Sequence, residues 1–146
     1  MVPPTGEFLV LAVEDNQDHA ALIQAAFARR QFPSVLRIMG SGEEAMDYLL
    51  GRGSFRDRIR HPSPDILILD LELPGMGGLD FLRWLNTRLE PWSRVPVIIF
   101  TSGASRNAEA EAYRLGAREI KIKPADFTEL VDVVSRVLKR SVPNTA

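Results

Sequence analysis

A chain of 146 residues, 45% hydrophobic and 25% charged, is sized for one compact domain with one core. Eighteen basic residues against nineteen acidic ones leave a formal charge of −1, which argues against nucleic acid as a partner. Zero cysteines exclude disulfides, thiolate metal sites and a thiol nucleophile, and two histidines, His19 and His61, nearly exclude a multi-histidine metal site.

The first apolar run, Phe8–Val13, has the length of a strand. No basic segment precedes it and Glu14 interrupts it, so neither a signal peptide nor a membrane span is expected and a cytoplasmic location follows. Ala20, Ile23 and Phe27 then recur at helical spacing, and the segment closes on Arg29 and Arg30, where positive charge complements a helix C-terminus. Val35–Met39 reads as a second strand, and Ser41 with Glu44 as a capping box opening a helix to Leu50. The insertion from Gly51 to Pro64 carries Arg52, Arg56, Arg58, Arg60 and His61 against Asp57. It reads as a solvated loop, with a docking patch for an acidic partner as the alternative. Asp65–Asp70 is a third strand, and Phe81, Leu82, Leu85 and Leu89 mark a third helix. Val95–Phe100 is a fourth strand, Asn107 to Leu115 a fourth helix ended by Gly116, and Glu119–Ile122 a fifth strand. Asp126 with Glu129 makes another capping box, ahead of a stripe of Phe127, Leu130, Val131, Val134 and Leu138.

A strand followed by a helix, repeated five times, predicts an α/β fold: a doubly wound, five-stranded parallel sheet with helices on both faces. Runs one, three and four are uncharged inside, as strands buried on both faces require, whereas run two holds Arg37 and run five holds Lys121. Runs two and five are therefore the edges, and right-handed crossovers with one switch point give the order 2-1-3-4-5. The expected organisation is one domain over 1–146, with its core at 8–138, the insertion at 51–64 and a tail at 139–146. With eight residues after Leu138, no output domain is expected.

In such a sheet, ligands bind beyond the carboxyl ends of the strands. Run one ends in Glu14 and Asp15, run three in Asp70, run four in Thr101 and Ser102, and run five in Lys123 and Pro124. The order makes strands one, three, four and five neighbours and brings these ends to one crevice, where crowded carboxylates repel unless a cation or protons intervene. All-oxygen ligands favour Mg²⁺. A carboxylate beside Mg²⁺, a hydroxyl and a lysine suits phosphoryl transfer, which needs positioning and charge neutralisation above all. Asp70 is the best nucleophile, because it ends the central run and precedes the Gly-rich turn Pro74-Gly75-Met76-Gly77-Gly78, where backbone can approach closely.

Val13-Glu14-Asp15-Asn16, Leu67-Ile68-Leu69-Asp70-Leu71-Glu72-Leu73-Pro74, Phe100-Thr101-Ser102 and Ile122-Lys123-Pro124 resemble the receiver domain of two-component response regulators, a CheY-like family of flavodoxin-like fold. The resemblance implies that Asp70 accepts a phosphoryl group from a histidine of a sensor histidine kinase. It implies that Glu14, Asp15 and Asp70 hold Mg²⁺ with the backbone carbonyl of Glu72, that Thr101 and Lys123 contact the phosphoryl group, and that the Lys123–Pro124 bond is cis. Tyr48-Leu49-Leu50, the Arg-rich insertion and Pro64-Asp65 look like the stand-alone receivers that partner phytochrome kinases. Output then passes through a changed surface, for which the resemblance implies helix four, strand five and helix five, a candidate homodimer contact.

Two positions depart from the family pattern. Ile120 stands where receivers often carry a Tyr or Phe that swings inward, and Glu72, two residues beyond Asp70, can bring a carboxylate toward the phosphoryl group. Two other readings remain. A receiver-like scaffold working without phosphorylation is disfavoured by the intact Glu14/Asp15/Asp70/Thr101/Lys123 set. An aspartyl-phosphate hydrolase of haloacid-dehalogenase type, suggested by Asp70-Leu71-Glu72, is disfavoured because that family places its acid pair after the first strand and this chain places it after the third.

Overall fold

The Val-, Ile- and Leu-rich runs form β1 (Phe8–Val13), β2 (Ser34–Met39), β3 (Ile66–Leu69), β4 (Val97–Thr101) and β5 (Glu119–Ile122). The computed structural model describes residues 7–30, 32–123 and 127–141. All pairings are parallel, in the expected order β2-β1-β3-β4-β5. The connections carry α1 (Gln17–Arg30), α2 (Gly42–Leu50), α3 (Gly78–Asn86) and α4 (Arg106–Arg114), and α5 (Phe127–Ser141) follows β5.

Strand side chains alternate between two cores, as the two-residue period of a strand demands. Leu9, Leu11, Val13, Leu67, Leu69, Val97 and Ile99 face α2, α3 and α4, meeting Tyr48, Leu49, Phe81, Leu82, Leu85 and Ala112. Val10, Ala12, Ile66, Ile68, Ile98 and Phe100 face α1 and α5, meeting Ile23, Phe27, Leu130, Val131, Val134 and Leu138. Burying each Val, Leu, Ile or Phe side chain among them contributes roughly 1.5–3 kcal/mol. Among the described residues, no helix is long and apolar enough to cross a membrane.

Local chemistry sets the helix ends. Ser41 Oγ accepts from the Glu44 N–H (3.1 Å), while Glu44 Oε1 reaches back to the Gly40 N–H (2.8 Å), one residue before the cap. Asp126 of the second expected box lies outside the described residues. The third helix is shorter than its apolar stripe suggested. It ends at Asn86 because the Thr87 N–H and hydroxyl both bond the Trp84 carbonyl, leaving Leu89 86% exposed in the following loop. Beyond it, Trp84 and Trp92 stack with ring centroids 5.7 Å apart and the Arg88 guanidinium lies over both, at the end of the sheet where β4 begins.

The Arg-rich insertion is more than a solvated loop. Arg58 donates to the carbonyls of Tyr48 (2.6 Å) and Leu49 (3.3 Å), closing the C-terminus of α2, where carbonyls lack helical partners. Tyr48 is wholly buried; its hydroxyl donates to the Pro62 carbonyl (2.8 Å) and accepts from Arg37 (3.2 Å). Phe55 and His61 pack against the Tyr48 ring. Arg37, on edge strand β2, is thus tied to Tyr48 and His61. Arg52, Arg56 and Arg60 stay exposed.

Candidate functional site

Polarity begins where the strands stop. Glu14 follows β1, Asp70 follows β3, Thr101 ends β4 and Lys123 follows β5. The ladder extends to three of them: the N–H groups of Glu14, Asp70 and Lys123 donate to the carbonyls of Met39, Val13 and Thr101 on adjacent strands. The sheet therefore aims these side chains with rigid backbone. Glu14, Asp70, Thr101 and Lys123 are buried, whereas Asp15 is exposed at the rim.

Buried charges are tolerated only when paired, and these are. The Lys123 ammonium donates to Asp70 Oδ2 (2.9 Å) and to Glu14 Oε1, and lies 3.1 Å from His19 Nδ1. Asp70 Oδ1 accepts from the Thr101 hydroxyl (3.0 Å) and from the Glu72 N–H (2.9 Å). The repulsion expected between carboxylates is relieved by Lys123, which stands between two of them. Among the described residues, no buried side-chain nitrogen or oxygen lacks a partner.

The two buried carboxyls are pushed in opposite directions. Burial drives Asp70 up, but the Glu72 N–H, Lys123 and the Thr101 hydroxyl outweigh it and hold the group below the ordinary aspartate value. Burial also drives Glu14 up, and there it prevails over Lys123 and the Asn16 N–H. Of these two, Asp70 is the carboxyl whose surroundings favour the ionised form, the form a nucleophile needs.

Gly78, the first residue of α3, makes a close approach that only glycine permits. A Cβ there would lie 2.4 Å from the Asp70 carbonyl oxygen and 2.6 Å from Leu71 Cα. Gly75 turns the chain at φ +68, but Gly77 makes no such approach, its nearest neighbour standing at 4.0 Å. Glu72 exposes its side chain beside the pocket.

Glu14, Asp15 and Asp70 each offer one oxygen within 4.8 Å of the others. An all-oxygen, anionic donor set of this kind fits a hard dication such as Mg²⁺ and not a soft metal. Pro124 lies outside the described residues, so the Lys123–Pro124 bond does too. Ile120 is half-buried and packs against the α2–α3–α4 core. Sequence reasoning missed His19: a single histidine in the first turn of a helix carries no motif, and its contact with Lys123 spans 104 residues of sequence.

Residues 10–135 match the family described as the response regulator receiver domain. A probable methanogenesis regulatory protein, FilR2 of Methanothrix harundinacea, is 34% identical over 131 residues, covering 89% of this chain and 81% of that protein. The chain spans only 25% of another relative, the regulatory protein LuxO of Vibrio vulnificus, at 30% identity over 129 residues. The crystal structure of response regulator RPA3017 in red light signaling of R. palustris superposes with a TM-score of 0.77 at 33% identity, covering 94% of this chain and 95% of that one. The bacteriophytochrome response regulator AtBRR gives a TM-score of 0.73 at 28% identity, over 90% of this chain and 92% of its own. With the strand order and the acidic pocket already in place, these matches establish that the chain belongs to the response regulator receiver family.

Proposed function

We propose that the protein is a phosphorylation switch in which Asp70 accepts a phosphoryl group from a sensor histidine kinase. An Asp70 carboxylate oxygen attacks phosphorus as the bond to the kinase imidazole breaks, and the electron pair leaves on that imidazole nitrogen, which takes up a proton. The observation that carries this reading is the setting of Asp70: a buried carboxylate held by Lys123 on one oxygen and Thr101 on the other. Lys123 and Thr101 would meet the incoming phosphoryl oxygens, which need positive charge and hydrogen-bond donors in place beforehand. Glu14, Asp15 and Asp70, with the Glu72 carbonyl, would hold Mg²⁺, which supplies further positive charge against those oxygens. The protein is a phosphoacceptor acting only on itself, and not an enzyme with an external substrate.

Acetyl phosphate with Mg²⁺ should add one phosphoryl mass to the wild type and none to Asp70→Asn, read by intact mass. Equal labelling of both proteins would reject the assignment. The likeness to RPA3017, of red light signaling, and to the bacteriophytochrome response regulator AtBRR supports a phytochrome kinase as the donor, and such a donor would place the protein in the cytoplasm. Because β5 is a sheet edge and Tyr113 and Ile122 are 52% and 42% exposed there and on α4, the output surface extends to α4, β5 and α5, with a second copy of this chain as one reader. A phosphorylation-independent scaffold would have no use for a buried lysine between two carboxylates.

A further inference from the structure

The Lys123 ammonium is 3% exposed and has three acceptors for its three N–H bonds: Asp70 Oδ2, Glu14 Oε1 and His19 Nδ1. Under the proposed function, two of these are drawn into other work. An Asp70 oxygen becomes part of the acyl phosphate, and Glu14 turns to the cation. His19 Nδ1 alone is left unaltered by both events.

We infer that His19 is a positioning residue for the switch, holding the Lys123 ammonium in place through Nδ1 while its carboxylate partners are engaged; this rests on the reading of Asp70 as phosphoacceptor. The ring is itself held. Its residue is fixed in the first turn of α1, where the His19 N–H donates to Asn16 Oδ1 (3.1 Å). The imidazole lies against Phe127, with centroids 6.2 Å apart. Phe127 meets Phe100 edge-on at 5.0 Å, and the Lys123 nitrogen lies 5.5 Å from the centre of the Phe100 ring. Imidazole, two phenyl rings and ammonium thus close a circuit contributed by α1, α5, β4 and the end of β5. The flexible four-carbon stem does not itself set the direction of a lysine head, so the contacts around the ammonium must. An ammonium cannot accept a hydrogen bond, so in this contact Nδ1 must present its lone pair and a ring proton belongs on Nε2.

The test separates the two ring nitrogens. In His19→Asn the amide oxygen stands as many bonds from Cα as Nδ1 does; in His19→Gln it stands one bond further, near the place of Nε2; His19→Leu has no acceptor. Initial rates of Asp70 phosphorylation by acetyl phosphate would be followed by intact mass. His19→Leu should be about tenfold slower than wild type, the scale of one hydrogen bond to a charged group. His19→Asn should recover most of that loss and His19→Gln little of it. In the metal-free wild type, ¹⁵N NMR of the imidazole should show the Nε2–H tautomer. Wild-type rates in His19→Leu, an equal loss in all three variants, or an Nδ1–H ring would each overturn the inference while leaving Asp70 labelling intact. A wild type that takes no phosphoryl group on Asp70 would overturn both.

Discussion

The Thr101 hydroxyl donates to Asp70 Oδ1 across 3.0 Å, a fully buried bond between the ends of adjacent strands. A phosphoryl group on Asp70 would bring roughly −1.5 to −2 charge units to this point near neutral pH, by analogy with other phospho-residues. Thr101 is the uncharged donor able to follow that charge and draw the segment after β4 inward, an ordering of the kind two-state switches use. Ile120 is branched at Cβ, has no ring to relocate, and already packs against the core. The change is therefore expected in residues 102–115 and not as a rotamer flip on β5. Thr101→Ala should still be phosphorylated but lose most of the amide shifts across Ser102–Leu115 that a beryllofluoride mimic induces. Identical NMR responses in the two proteins would reject the mechanism.

Gly78→Ala is expected to destabilise the fold by about 2 kcal/mol or more, since its Cβ meets backbone that cannot rotate away. It should also slow phosphorylation, because the displaced atoms belong to Asp70. Gly77→Ala, with its nearest neighbour at 4.0 Å, serves as the control and should cost under about 1 kcal/mol. Urea denaturation of both variants distinguishes a close approach from a general intolerance of the turn.

Arg58→Ala should cost about 2 kcal/mol in urea denaturation, because it strips donors from the α2 carbonyls of Tyr48 and Leu49. Arg60→Ala, at an exposed position, should stay within about 0.5 kcal/mol of wild type. Equal effects would return the insertion to a solvated loop.

Asp65 gives a pH dependence of definite sign. Burial raises its carboxyl above the ordinary value, despite the Leu9 N–H that donates to it at 2.8 Å. The folded protein then binds this proton more tightly than the unfolded chain. Between the two titrations stability falls as pH rises, and above both the ionised group is a net burden. Asp65→Asn keeps an acceptor for Leu9 and removes the charge, so it should raise Tm at neutral pH. The gain should vanish at acid pH, where both states are protonated. A variant less stable than wild type at neutral pH would show that the charge is favourable there.

Association through α4, β5 and α5 is best probed at Ile122, which is 42% exposed, and not at Ile120, whose replacement would also injure the core. Ile122→Asp should turn a sedimenting dimer into a monomer with an unchanged melting curve. A wild type that remains monomeric at high micromolar concentration, phosphorylated or not, would exclude this surface as a self-contact.

The sheet order and the pocket were legible because each depends on a sharp contrast along the chain. Runs one, three and four are uncharged inside and give way at once to polar residues, so Glu14, Asp70 and Thr101 mark both the strand ends and the site, and Lys123 joins them after run five. Leu89 misled because apolar spacing cannot see the Thr87 hydroxyl bonding the Trp84 carbonyl and stopping the helix first. Arg58 and His19 were illegible for another reason. Their partners lie respectively ten and 104 residues away, and a single side chain reaching back to a helix end or from a helix start to a distant strand end leaves no periodic trace.

The stacked pair of Trp84 and Trp92 comprises both tryptophans of the chain, and it sits at the opposite end of the sheet from Asp70. Indole emission from this protein will therefore be quenched or released by the packing around Arg88, and will report the integrity of that end of the fold. As an optical probe it is expected to respond to unfolding more than to the state of the pocket. Following the phosphorylated form by light requires a tryptophan introduced near β4's carboxyl end, against a background that the native pair holds constant.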